Sequence, residues 1–228
     1  MMIKKIERPP TLVAVVANRI KEEIIHARLL PGEPLHEVEL SRLLHVSRGT
    51  IREALRLLGQ DGLVEIIPYR GVFVSNLTPK MVREIYTLRA LLEPYAVRLS
   101  VESGAMAGET LNKLGLLVER MGKLEASKDY AETIQTDIKF HEISTQFCRH
   151  DLLLNLLKNL QSMTLMFILN TKLYRSDMIS DQASHQAIYD SIVKGDPEIV
   201  EAIVRQHITD AGRSLLEKME KITAEKNV

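Results

Sequence analysis

The segment Glu37–Gly62 constrains the fold more than any other part of the chain. Glu37–Leu44 reads as a short helix, His45–Ser47 breaks it, and Ser47 is placed to cap a second helix from Arg48 to about Gln60. Ile51, Leu55 and Leu58 form the buried stripe of that second helix. Upstream, Leu12, Val15, Val16, Ile20, Ile24 and Ile25 give Thr11–Ala27 the same helical period, and Pro31, Gly32 and Pro34 make Leu30–Pro34 a turn. Downstream, Asp61–Gly62 signals a turn. Leu63–Ile67 and Gly71–Ser75 then read as two short strands around Pro68–Tyr69–Arg70. Helix, turn, helix, turn, helix and hairpin is the order of a winged helix-turn-helix.

The second helix carries Arg48, Arg52 and Arg56 in one row beside the apolar stripe. Like charges four residues apart repel, and cations near a helix N-terminus oppose its dipole. Local helix stability does not account for the row; a facing polyanion does. A helix N-terminus in the major groove offers backbone N–H groups to phosphate and side chains to base edges, where arginine pairs with guanine. Ser47 and Thr50 suit phosphate contacts. Arg70 and Gly71 at the hairpin tip suit the minor groove. The bland alternative is a solvated charged helix face. Charge placement is slightly asymmetric. Residues 1–76 carry 11 Lys/Arg against 9 Asp/Glu, and residues 77–228 carry 19 against 21. The whole chain balances at 30 and 30, so a uniformly basic coat is excluded while a local patch is not.

From residue 77 onward no strand is expected. Six helices are read: Pro79–Ser103 behind a Thr78 cap, Glu109–Ala126, about Asp129 to Phe147, about Asp151 to Lys172, Ser176–Lys194, and Pro197 to about Lys221, with a loose tail from Thr223. The chain is thus mostly α. A winged helix-turn-helix over residues 1–76 precedes an all-α bundle over residues 77–228, long enough to bury its own core.

Within the bundle, Asp137 and His141 share one helix face at i and i+4, and His185 and His207 sit among apolar residues of the fifth and sixth helices. Burying such histidines without partners is costly, and a cation removes that cost. Three imidazoles and one carboxylate suit zinc first, with nickel and manganese as alternatives. One carboxylate leaves a divalent ion with net positive charge, so an open position can take water or an anion. Hydrogen-bonded core histidines without metal are the alternative. His150, beside Asp151 at a helix start, reads as a cap or surface residue.

Two resemblances extend these readings. Glu37 to Leu40, Val46-Ser47-Arg48-Gly49-Thr50-Ile51-Arg52-Glu53-Ala54-Leu55, Gly62-Leu63-Val64 and Arg70-Gly71 resemble the DNA-binding domain of GntR-type bacterial regulators. The pattern departs at Gly49-Thr50, where Thr-Pro is frequent, and at Val38, where some members place a DNA-contacting Arg. The resemblance implies Ser47, Arg48, Gly49, Thr50, Arg52, Arg70 and Gly71 as the DNA-contacting set. The helical remainder resembles the FadR-type branch with an FCD domain, through Leu88-Arg89-x-x-x-Glu93, Asp137-Ile138-Lys139-Phe140-His141, His185 and His207. That implies a metal held by Asp137, His141, His185 and His207, completed by a small carboxylic acid. Ser184 precedes His185 where Glu is common, and His150-Asp151 stands where Gly-Asn is common. Arg89 is the candidate effector-facing or interdomain arginine, against a surface ion pair with Glu93. Asn170 and Arg175 are further candidates for a cavity lining.

The function these features imply is a ligand-responsive transcriptional repressor. It would bind a pseudo-palindromic double-stranded operator as a homodimer and respond to a small carboxylic acid, with effector and DNA binding coupled reciprocally. Two alternatives are a DNA-binding dimer with a purely structural, metal-free bundle and a metal-dependent hydrolase. The hydrolase reading lacks a base, because Glu142 at i+1 from His141 points away from the ligand face. The lone Cys148 forms no intrachain disulfide. Charged residues within Met1–Pro10 and the lack of an unbroken run of about 18 apolar residues argue against secretion and membrane partners, so the cytoplasm is the expected location.

Overall fold

The computed structural model describes residues 9–127, 129–171 and 182–226, which form nine helices and two strands. They fall into two compact units. One runs to Leu77 and includes Leu165–Asn170; the other holds Thr78–Thr164 and continues from Thr171.

In the first unit, α1 (Leu12–Ile25) starts at Thr11, whose hydroxyl accepts from the Ala14 N–H at 3.2 Å. Its buried Val16, Ile20 and Ile24 form the side that packs on α3 (Arg48–Gln60). Ile51, Leu55 and Leu58 of α3 are fully buried, and α2 (Glu37–Leu44) lies against the same helix. The break between α2 and α3 is made by His45 in the left-handed region (φ 53°), after which Ser47 caps α3. Strands β1 (Val64–Ile67) and β2 (Gly71–Val74) pair antiparallel with Val64 opposite Val74 and Ile67 opposite Gly71.

Leu30–Pro34 does more than turn. The Leu35 N–H donates to Val72 at 2.8 Å and the Val74 N–H to Glu33 at 2.9 Å, with Pro34 bridging Phe73. This segment covers the free edge of β2. Pro34 has no N–H, so it pairs as a single bridge rather than a strand.

The six helices expected after residue 76 are α4 (Pro79–Glu102), α5 (Glu109–Ser127), α6 (Tyr130–Thr145), α7 (Asp151–Thr171), α8 (Gln182–Lys194) and α9 (Pro197–Lys226). Residues 172–181, including Arg175 and the expected start of the fifth helix, lie outside the described residues. The last helix runs past Lys221 to Lys226, through part of the expected loose tail. α4 packs along α9, α5 against α6 and α8, and α8 against α9. Thr78 caps α4 and Asp129 caps α6. His150 caps α7, its Nδ1 accepting from the Leu153 N–H at 3.2 Å, which is the bland role read for it.

Pro94 sits inside α4 and cannot donate to Ala90. Arg205 of α9 donates to that freed carbonyl at 2.8 Å. Among the described residues, Asp151–Asn170 is the one helix long and apolar enough to cross a membrane by length and composition. Asn155, Lys158, Asn159 and Gln161 interrupt it, so the sequence shows no unbroken apolar run.

Candidate functional site

The exposed start of α3 is built by its cap. Ser47 Oγ accepts from the Thr50 N–H at 3.1 Å and shares a hydrogen bond with Thr50 Oγ1 at 2.8 Å. Both hydroxyls expected on phosphate therefore shape the helix N-terminus. Gly49 is exposed, and a Cβ there would meet only Ser47 Oγ, at 3.7 Å.

Two of the three arginines in the row are partnered within the protein. Arg52 forks onto Glu37 of α2 (Nε–Oε1 3.0 Å, Nη2–Oε2 2.7 Å) and Arg56 pairs with Glu53 at 3.2 Å. The fork holds the Glu37 carboxylate below the usual range, chiefly through its hydrogen bonds. Arg48 forms no salt bridge among the described residues. At the hairpin tip Tyr69 is fully exposed with φ 61°, Gly71 has φ 113°, and the Arg70 guanidinium lies 5.9 Å from the Phe73 ring centre.

In the second unit, α6, α8 and α9 bring His141, His185 and His207 together. One ligand nitrogen of each lies within 4.8 Å of the others. His207 Nε2 stands 3.3 Å from His141 Nε2. Asp137 Oδ1 is 3.0 Å from His185 Nε2 and 3.8 Å from His141 Nε2. Two donors on one tetrahedral zinc are roughly 3.3 Å apart for bonds near 2.0–2.1 Å. The His141–His207 spacing therefore already suits one divalent ion, with His185 within 4.8 Å of both, and Asp137 lies outside this group of three but beside two of its members. His141 and His185 are buried, and the Phe140 ring meets the His185 ring edge-on, with centres 5.2 Å apart.

Two of the imidazoles also have an orienting partner. Glu93 Oε1 makes an ion-pair contact with His141 Nδ1, and Ser184 Oγ lies 3.0 Å from His207 Nδ1. These contacts turn the Nε2 atoms of His141 and His207 towards each other, the arrangement that supports metal-ligating imidazoles. Glu93 is itself held by Arg89 at 3.1 Å, and the Arg89 guanidinium lies 5.1 Å from the Tyr86 ring centre. The Arg89–Glu93 pair read as a surface alternative does form, but its side chains are only 11% and 4% exposed. Sequence reasoning placed Glu93 beside Arg89 and missed its bond to His141; a carboxylate on the buried face of α4 was the available signal.

Burial opposes the charge of Glu93, yet Arg89 and His141 outweigh it and hold the carboxyl down at about 2. Burial likewise opposes the Asp137 anion, and the His185 hydrogen bond with the surrounding imidazoles keeps it well below the carboxylate range. His141 is pushed down by burial but raised overall by Glu93. His207 is driven well below its ordinary value by burial and by His141 and His185. Neutral His207 and anionic Asp137 have the protonation a metal ligand needs, whereas His141, raised by Glu93, has to release a proton to join them.

Arg89 and His141 also line a cavity of about 290 Å³ between α4, α6 and α7. Asn170 does not line it; its amide donates to the carbonyls of Met166 and Ile24. Glu142 pairs with Lys139 at 2.9 Å, away from the ligand face as its position implies.

Comparison with known proteins gives two family matches: "Bacterial regulatory proteins, gntR family" over residues 12–74 and "FCD domain" over residues 84–210. The helix-turn-helix-type transcriptional regulator YdhC of Bacillus subtilis is 32% identical over 206 residues, covering 89% of this chain and 90% of that protein. The transcriptional repressor RspR of Escherichia coli is 27% identical over 203 residues, 86% and 85% of the two chains. The structure of E. coli McbR/YncC superposes with a TM-score of 0.76 at 19% identity, over 92% of this chain and all of that one, a likeness of fold.

Proposed function

This chain belongs to the GntR family of bacterial transcriptional regulators, in the FadR-type branch with an FCD domain, and from that membership we propose a metal-dependent, acid-responsive repressor. Residues 1–76 bind a pseudo-palindromic operator in the cytoplasm, with Ser47, Arg48, Gly49, Thr50 and Arg52 on the duplex and Arg70 and Gly71 at the groove beside it. Residues 77–228 bind the effector and form a homodimer, because one small recognition helix buries too little surface for tight specific binding.

The observation that carries the reading is the convergence of three imidazoles and Asp137 within the helical unit of a DNA-binding chain. Asp137, His141, His185 and His207 hold a divalent ion, zinc first. The ion supplies positive charge and a position for a carboxylate. Glu93 and Ser184 orient two of the imidazoles, and Arg89 screens Glu93 and faces the effector. Fluorescence anisotropy with genomic operator and random duplex, with and without metal and small carboxylic acids, tests the whole reading. An acid that changes operator affinity only in metal-loaded protein supports it. A single affinity for every duplex, whatever is added, ends it.

One observation favours a second reading. Glu93 and Ser184 give His141 and His207 polar partners from the protein itself. A bundle that only dimerises would purify with intact operator binding and no stoichiometric metal.

A further inference from the structure

Tyr69 occupies a backbone position that tyrosine rarely takes. At the tip of the β1–β2 hairpin the Arg70 N–H donates to the Ile67 carbonyl at 3.1 Å, which closes a turn over Ile67–Arg70. Pro68 is the second residue of that turn and Tyr69, at φ 61°, is the third. Proline followed by positive φ is the type II pattern, whose third place favours glycine or asparagine. The glycine of this hairpin, Gly71, stands two places later, opposite Ile67. A bulky side chain in the left-handed region is strained, and packing or a binding partner has to offset that cost. Packing does not offset it, because Tyr69 is 108% exposed. β1 packs against α3, so the hairpin is held in place relative to the helix that carries Ser47 and Arg48. The Arg70 guanidinium lies 5.9 Å from the Phe73 ring centre, drawn back along β2. The side chain that stands clear at the tip is the Tyr69 phenol, a flat ring with one hydroxyl.

We propose that Tyr69 enters the DNA minor groove edge-on, beside the major-groove site of α3, and selects A·T pairs there. The inference rests on the operator-binding reading above. The minor groove is about 6 Å wide and admits a planar ring by its edge. On its floor A·T and T·A pairs present only the adenine N3 and thymine O2 acceptors, and the phenol O–H donates to either. A G·C pair adds the guanine 2-amino group, a donor standing where the hydroxyl has to go. Arg70, drawn back from the tip, meets the phosphates of the groove wall.

The probe is a duplex that the full-length wild-type protein selects from a random-sequence pool. Its A·T pairs are replaced one at a time by G·C and by inosine·cytosine, which lacks the 2-amino group and so presents an A·T-like minor groove. Wild type should show a position where G·C weakens binding about tenfold and inosine·cytosine does not. Tyr69→Gly should bind the selected duplex about tenfold more weakly and lose that discrimination. It should melt no lower than wild type, because glycine relieves the left-handed backbone. Tyr69→Phe, which keeps the ring and lacks the donor, should lose most of the discrimination and less of the affinity. Undiminished binding by Tyr69→Gly, a loss equal on selected and random duplex, or a lower melting temperature overturns the role of Tyr69 and leaves the operator reading standing. A pool that yields no preferred duplex overturns both.

Discussion

Arg52 of α3 and Glu37 of α2 are joined by a two-pronged salt bridge, with Nε–Oε1 at 3.0 Å and Nη2–Oε2 at 2.7 Å. The pair ties together the two helices of the DNA-reading motif across 15 positions of sequence. Arg52 is a brace in the free protein, and the base contact proposed for it on DNA is a second, separable role. Arg52→Ala should weaken specific operator binding by about tenfold to a hundredfold and lower the ratio of specific to random-duplex affinity. Glu37→Gln removes the brace and keeps the guanidinium, so it should preserve that ratio. Anisotropy titrations of both variants decide between the roles. An unchanged ratio in Arg52→Ala would leave Arg52 as a brace alone.

Gly49 offers a cleaner probe of the helix start. It lies in the first turn of α3, and a Cβ there would meet only Ser47 Oγ at 3.7 Å. Gly49→Ala should therefore raise stability, by about 0.4–1 kcal/mol. If the backbone here approaches phosphate, the same methyl group will weaken DNA binding. Thermal melts and operator titrations on one preparation read both effects. Tighter folding with undiminished operator affinity removes Gly49 from the contact set.

His207 is the ligand proposed on α9 and stands 3.3 Å from His141. His207→Ala should purify without stoichiometric metal, read by elemental analysis. Adding zinc to chelated wild-type protein should raise its melting temperature, because a ligand of the folded state stabilises it, and should leave the variant unmoved. Full metal content in the variant would strike His207 from the site.

The Glu93 carboxyl is lowered from its ordinary 4.5 to about 2, burial being outweighed by Arg89 and His141. A depressed folded-state value means the unfolded chain takes up the proton first. The stabilisation is therefore complete above about pH 4.5 and is lost as pH falls towards 2. Glu93→Gln should be less stable than wild type at neutral pH and show a flatter stability profile through that window. Urea melts of chelated protein against pH measure this, and parallel profiles would contradict it.

Gly212 of α9 allows the close approach of α4. A Cβ at this position would stand 2.7 Å from the Tyr86 Cβ, an atom that cannot swing aside without its backbone. Gly212→Ala should destabilise by about 1–3 kcal/mol despite its better helix propensity. A melting temperature equal to wild type would show that α4 and α9 can part at little cost.

Several features were legible from short-range chemistry. The bounds of α2 and α3 follow from the break at His45 and the Ser47 cap, both encoded within a few residues. The four-residue spacing of Asp137 and His141 put two candidate ligands on one turn. His185 and His207 stood out because histidines amid apolar residues need a partner.

What the sequence by itself determined is thus the order of elements, their caps and the face each helix buries. These depend on propensity, capping and periodicity, which act over one or two turns. Tertiary structure alone decided the partners. Arg52 meets Glu37, His141 meets Glu93, and Arg205 meets the carbonyl that Pro94 frees at Ala90. It also turned Leu30–Pro34 from a plain turn into cover for the edge of β2. Such pairings depend on how helices cross and where strand edges fall, set by the packing of buried side chains far apart in sequence, so no local window contains them.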